Sequence, residues 1–114
     1  FFLPRLIGMQ RATALMMTGD KLSAKEAKEM GLVYKVVSQE DFSEMVSKMA
    51  VKMAKMPTYG LGLTKRALNM SFNNDLTQQL TVEDELQSAA GKSYDYNEGV
   101  SAFLEKRKPE FKGK

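Results

Sequence analysis

Apolar residues recur along most of the chain at the three- and four-residue spacing that is typical of amphipathic helices. The longest such pattern begins at Ser38 or Gln39 and runs to about Lys55, shortly before Pro57. Its continuous apolar stripe consists of Phe42, Met45, Val46, Met49, Met53 and Met56. A striped helix needs a partner, so we expect this stripe to fill a soft, methionine-rich core or to form an adaptable interface with another subunit.

Shorter patterns predict five further helices, which makes about six in all. They cover residues 9–18, 24–30, 58–72, 75–90 and 97–106. Ser23 and Glu26 have the spacing of a capping box, while Gly19 and Gly31 follow helices in the position of a C′ glycine. These local signals agree with the periodicity and favour a mainly α chain.

The sequence also predicts two helix caps, one inward-facing set of leucines and one segment that is not helical. We expect Thr58 and Asp75 to cap the helices that they begin. In the helix that begins at Asp75, three leucines are expected to point inward: Leu76, Leu80 and Leu86. Residues 32–37 are β-branched and aromatic, which predicts one short extended segment.

The composition excludes several kinds of chemistry. Cysteine and histidine are both absent, which excludes disulfides, thiolate nucleophiles, the usual zinc sites and histidine acid–base catalysis. Glu83, Asp84 and Glu85 are consecutive on a predicted helix, so their side chains diverge and form a poor acid–base pair. We therefore expect no catalytic centre and no metal site among these residues. No apolar run approaches the ~20 residues of a membrane span, so we expect a cytoplasmic protein without a membrane partner.

The net charge of +3 comes from the end of the chain. Residues 1–105 hold 12 basic and 13 acidic residues, whereas residues 106–114 hold five basic residues and one acidic residue. Such a basic end is either a solvated tail or a site for an anionic partner.

Three segments resemble one known family in the right order. TGDKLSAKEAKEMGLVYKVV (Thr18–Val37), LTKRALN (Leu63–Asn69) and EGVSAFLEKRKPEFKG (Glu98–Gly113) are similar to motifs of the crotonase, or enoyl-CoA hydratase/isomerase, superfamily. The stretch Ser71–Leu86 is most similar to the phenylacetate-pathway 1,2-epoxyphenylacetyl-CoA isomerase branch of that family.

The resemblance implies a fold and an assembly. Residues 1–37 would be the last part of the crotonase α/β spiral core with the short helices that follow it, and residues 38–114 the C-terminal helical region that forms trimers or dimers of trimers. The family's oxyanion hole and acidic catalytic residues would lie upstream of Phe1, which implies that this chain alone is inactive.

The resemblance also implies a function. The family hydrates or isomerises acyl-CoA thioesters, with two amides stabilising an enolate, and it needs no cofactor apart from the coenzyme A of the substrate. Its C-terminal helix contacts the CoA adenine and 3′-phosphate through an aromatic residue and a lysine, which match Phe103 and Lys106 here. Phe103 offers a flat apolar face, and Lys106 a point charge.

Two other functions stay open at this point. The chain could be an independent helical interaction module without catalytic activity. It could also be a small nucleic-acid binder, although the basic end has a single aromatic residue and no recognisable motif. If the helices are normally covered by other protein, large exposed apolar patches are expected.

Overall fold

The computed structural model describes residues 1 to 114 and contains seven α-helices and no β-strand. The helices are α1 Phe2–Ile7, α2 Met9–Thr18, α3 Ala24–Glu29, α4 Gln39–Ala54, α5 Thr58–Met70, α6 Leu76–Gly91 and α7 Tyr94–Leu104. The predicted mainly helical character is confirmed, and α1 is one helix more than the pattern predicted. The sequence of α1 is almost uniformly apolar, so it has no polar face from which a period could be recognised.

The chain divides into two compact units, Phe1–Glu44 and Met45–Lys114. In the first unit, α1 packs on α2. Gly8 joins the two helices with a φ of 83°, and its N–H donates to the carbonyl of Pro4. The buried side chains of this unit are Ile7, Ala12 and Ala27. The predicted division at residue 38 stays a prediction.

The predicted capping box of α3 is confirmed, but the extended segment after it does not form. Ser23 Oγ accepts the N–H of Glu26, and the Glu26 carboxylate accepts the N–H of Ser23. The N–H groups of Leu32 and Val33 both donate to the carbonyl of Ala27, so the chain bends there instead of continuing as a strand. β-Branched residues favour strands only where a neighbouring strand is available.

The second unit is built on a hairpin of α5 and α6, with α7 packed on α6. Gln79 faces α5, since its Nε2 donates to the carbonyl of Ala67 at 3.2 Å. The predicted inward direction of Leu76 and Leu80 is therefore wrong, and these side chains are 75% and 56% exposed. Leu86 is partly buried, as expected. The inward direction of these leucines was predicted from their apolar character alone, whereas the face of α6 that contacts α5 includes the polar residue Gln79.

The helix caps are partly as predicted. Asp75 caps α6 in a reciprocal box with Gln78. Thr58 does not cap α5: Pro57 occupies the N-cap and provides no side-chain bond. The last helix begins three residues earlier than predicted because Ser93 Oγ accepts the N–H of Tyr96.

Much apolar surface remains uncovered on this chain. Apart from Met45, which is partly buried, the stripe that α4 carries is exposed, and α4 contains no buried residue. The accessible surface is 9291 Å², whereas two separate compact bodies of these sizes would expose about 7500 Å². Many large apolar side chains are therefore exposed, and the stripe does not fill a core within this chain. No helix combines the length and apolar character that a bilayer span requires.

Candidate functional site

The C-terminal end of α7 brings the two predicted ligand contacts together. The N–H of Lys106 donates to the carbonyl of Phe103 at 3.3 Å, and the N–H of Arg107 donates to the carbonyl of Ala102 at 3.0 Å. These two bonds form a Schellman motif, with Lys106 in the C′ position. Lys106 has a φ of 56° and is the one non-glycine residue of the chain with a positive φ.

Phe103 lies almost fully in solvent, with 81% of its surface exposed. It borders an open, mainly apolar groove of about 410 Å³. The groove lies between the start of α5, one face of α7 and the chain that follows α7, and its apolar lining includes Pro57, Val100, Leu104 and Phe111. An exposed aromatic beside an apolar groove is suited to contact with a flat ring.

The residues after α7 return along that helix and form the C-terminal strap, Arg107–Lys114. Asp95, which is 2% exposed, accepts the N–H groups of Lys112 at 2.6 Å and Gly113 at 2.9 Å. Its own N–H donates to the carbonyl of Lys114 at 3.0 Å. Of the two sequence-based alternatives, a freely solvated tail is therefore wrong for this segment.

Glu98, one turn after Asp95, holds the beginning of the strap. Its carboxylate accepts the guanidinium of Arg107 on both oxygens and the N–H of Glu110 at 2.8 Å. The Arg107 hydrogen bonds, followed by the Glu110 N–H, lower the pKa of Glu98 to about 2. The same carboxylate, with that of Glu105, raises the pKa of Arg107 further above its ordinary value.

Some basic residues at the C-terminal end have a partner within the chain, and others do not. Arg107 is paired with Glu98 and Glu105, and Lys112 Nζ lies 4.5 Å from the centre of the Tyr94 ring. Lys106 and Lys108 are exposed and form no ion pair. An ammonium group without a carboxylate partner within the chain is available to pair with an outside anion.

Sequence reasoning selected Phe103 and Lys106 but missed the residues that hold the strap. Asp95 lies before the predicted last helix and Glu98 within it, and the sequence pattern singled out neither. Their i, i+3 spacing, which places them on one face of a helix, is the signal that could have indicated a shared role. The acidic run Glu83–Glu85 is not part of any group of three or more His, Cys, Asp or Glu side chains placed to share a metal ion. Glu83 instead accepts a hydrogen bond from Gln79.

Comparisons with known proteins place the chain in one family. A family model described as enoyl-CoA hydratase/isomerase matches residues 1–114. The 1,2-epoxyphenylacetyl-CoA isomerase of Escherichia coli K12 is 46% identical over the whole chain, which spans 44% of that relative. The trans-2-decenoyl-[acyl-carrier-protein] isomerase of Streptococcus mutans is 35% identical, with the chain spanning 43% of its length. The predicted similarity to the first of these is confirmed.

A solved structure shows the same arrangement of helices. The enoyl-CoA hydratase of Bacillus anthracis superimposes with a TM-score of 0.92 at 39% identity, over 98% of this chain and 43% of that one. The chain thus spans less than half the length of the relatives that it matches. Since the family model covers all 114 residues, the chain belongs to the enoyl-CoA hydratase/isomerase family.

Proposed function

We propose that this chain is the C-terminal helical part of an acyl-CoA hydratase or isomerase, in which it contacts coenzyme A and joins subunits. The family match over all residues supports the reaction class. The absence of cysteine and histidine and of any acid–base pair supports the assignment of proton transfer to residues outside these 114. What the chain contributes is therefore binding and assembly.

The proposed CoA contact consists of Phe103 and Lys106. The exposed ring of Phe103 stacks on the adenine at the edge of the apolar groove, and the Lys106 ammonium pairs with the 3′-phosphate. One observation carries this assignment: a lysine occupies a left-handed C′ position that glycine would adopt without strain. Non-glycine residues in this region cost about 1 kcal/mol or more and are concentrated at functional sites, so the side chain of Lys106 has a use of its own.

The proposed subunit association depends on the exposed helix faces. The stripe of α4 and the outward leucines of α6 lie in solvent. The surface in excess of two compact bodies is about 1800 Å², which is more than the ~800 Å² that each partner contributes to a standard protein interface. We propose that a trimer or a dimer of trimers covers these faces.

Sedimentation velocity of the chain, with and without excess CoA, tests both roles. We expect a trimer or hexamer whose stability increases with CoA. A compact monomer that ignores CoA would contradict the proposal and favour an independent helical interaction module. The pair Met49→Glu and Ser47→Glu controls for charge, because both residues are neutral and on α4 but only Met49 belongs to the stripe. Only the first substitution is expected to dissociate the assembly.

A separate experiment tests whether the acyl group is carried by CoA or by an acyl-carrier protein. One relative is named for an acyl-carrier-protein substrate, whereas the proposed adenine contact requires CoA itself. Binding of adenosine 3′,5′-bisphosphate, which contains the adenine and 3′-phosphate without a thioester, is expected for a CoA-type site. Failure to bind it at low salt would contradict the adenine contact.

A further inference from the structure

Two carboxylates on one side of α7 together hold both ends of the C-terminal strap. Asp95 accepts two backbone N–H groups near the end of the strap. Glu98, one turn later, accepts the Arg107 guanidinium and one backbone N–H near its beginning. The sequence separation of these contacts, up to 18 residues, means that the strap is held by specific bonds and not by local helix geometry.

The burial of Asp95 makes this attachment specific. A buried carboxylate is unfavourable unless hydrogen bonds satisfy it, and here both oxygens of Asp95 accept from the strap. If the strap moved by one residue, the charge would lose these partners. Gly113 adds a second constraint, because its φ is 72° and a Cβ there would lie 2.5 Å from Thr58 Oγ1.

Lys106 lies between α7 and the strap, so both of these elements determine its conformation. On one side, its N–H is bonded to the last turn of α7. On the other side, Arg107 is bonded to Glu98. A lysine without these flanking anchors would leave the left-handed region, which is unfavourable for a residue with a Cβ.

We propose that Asp95 and Glu98 are positioning residues for phosphate recognition: by holding the strap, they keep Lys106 in its left-handed conformation and direct its ammonium group at the ligand phosphate. Neither carboxylate touches the ligand, and their negative charge alone would repel it. The attachment itself depends only on the hydrogen bonds described above. The identity of the phosphate rests on the proposed function.

The test compares two nucleotides that differ by the phosphate in question. Affinities for adenosine 3′,5′-bisphosphate and adenosine 5′-monophosphate are measured by NMR titration of the full chain at low ionic strength. The unaltered chain is expected to prefer the bisphosphate about five-fold or more, since charge-assisted bonds are strong and salt would screen them. In Asp95→Asn and Glu98→Gln the preference is expected to fall below about two-fold, while binding of the monophosphate persists.

Gly113→Ala releases the strap without altering either carboxylate and is expected to reduce the preference in the same way. Gly62→Ala is the matched control, because a Cβ at that helical position meets nothing within 4 Å. If the strap had a purely structural role, its release would weaken the binding of both nucleotides equally. The ratio of the two affinities would then be unchanged. Because Gly113→Ala acts from the strap, the inference stays testable even if Asp95→Asn does not fold.

Hydrogen exchange of the Lys112 and Gly113 amides is measured in parallel. We expect at least ten-fold faster exchange in Asp95→Asn than in the unaltered chain. Unchanged exchange would overturn the attachment itself. Faster exchange with an unchanged nucleotide preference would overturn only the positioning role. Equal affinity of the unaltered chain for both nucleotides would instead remove Lys106 from the site, and the proposed function would lose its CoA contact.

Discussion

The carboxylate of Asp95 accepts the backbone N–H of Lys112 at 2.6 Å, although the two residues are 17 positions apart. This bond joins the first turn of α7 to the end of the chain and makes a basic segment part of the folded unit. The position of the strap matters for function because it begins directly after Lys106.

Asp95→Ala is expected to lower the free energy of unfolding by about 3 kcal/mol, because two backbone donors lose a charged acceptor in a buried position. Urea unfolding followed by circular dichroism measures this change. Asp84→Ala, on an exposed part of α6, is the control and should stay within about 0.5 kcal/mol. Equal effects of the two substitutions would show that the Asp95 bonds do not stabilise the fold.

Lys106→Gly is expected to stabilise the fold by about 1 kcal/mol, since glycine adopts the left-handed C′ conformation without strain. The gain is less than the full strain because glycine also makes the unfolded chain more flexible. Lys108→Gly has no positive φ to relieve and should not stabilise. Thermal unfolding compares the two variants with the unaltered chain. A midpoint temperature of Lys106→Gly below that of the unaltered chain would contradict backbone strain at Lys106.

Acid should loosen the strap through Glu98. Hydrogen bonds, chiefly from Arg107, lower its pKa in the folded chain to about 2, from an ordinary value of 4.5 for a free glutamate. Because the folded pKa is the lower one, the stabilisation is complete above about pH 5 and is lost as the pH falls from about 4.5 towards 2. Unfolding measured across this range should show a weaker pH dependence in Glu98→Gln. Glu85→Gln, on exposed α6 surface, should retain the original dependence.

Phe103→Ala should separate binding from stability. The ring is 81% exposed, so its loss should change the free energy of unfolding by less than about 0.5 kcal/mol. Affinity for CoA should fall about five-fold or more, because stacking on an adenine contributes about 1–3 kcal/mol. Titration calorimetry and urea unfolding of the same variant measure the two effects. A large loss of stability with unchanged CoA affinity would identify Phe103 as a packing residue.

Local signals predicted the local features of this fold well. The capping boxes at Ser23 and Asp75, and the glycine that ends α2, follow from hydrogen bonds between residues close in sequence. The early start of α7 at Tyr94 was missed because the Ser93 cap was not recognised. The segment 32–37 was misread because strand propensity needs a neighbouring strand.

The periodicity of apolar residues could not predict contacts between residues that are distant in sequence. The face of α6 that meets α5 carries Gln79, whose bond to Ala67 spans 12 residues. The attachment of the strap likewise depends on Asp95 and Glu98 meeting a segment that they do not neighbour in sequence. Phe103 and Lys106 were selected from the family resemblance, but nothing in the sequence pattern predicted the left-handed backbone of Lys106.

The most direct test of the proposed CoA contact is titration of the chain with CoA and with 3′-dephospho-CoA at low salt, for the unaltered sequence and for Lys106→Glu. We expect the unaltered chain to bind CoA about five-fold or more tightly than the dephosphorylated form, and Lys106→Glu to abolish this difference by placing a carboxylate near the phosphate. Equal affinities in the unaltered chain, or a preference that survives in Lys106→Glu, would contradict the proposed contact.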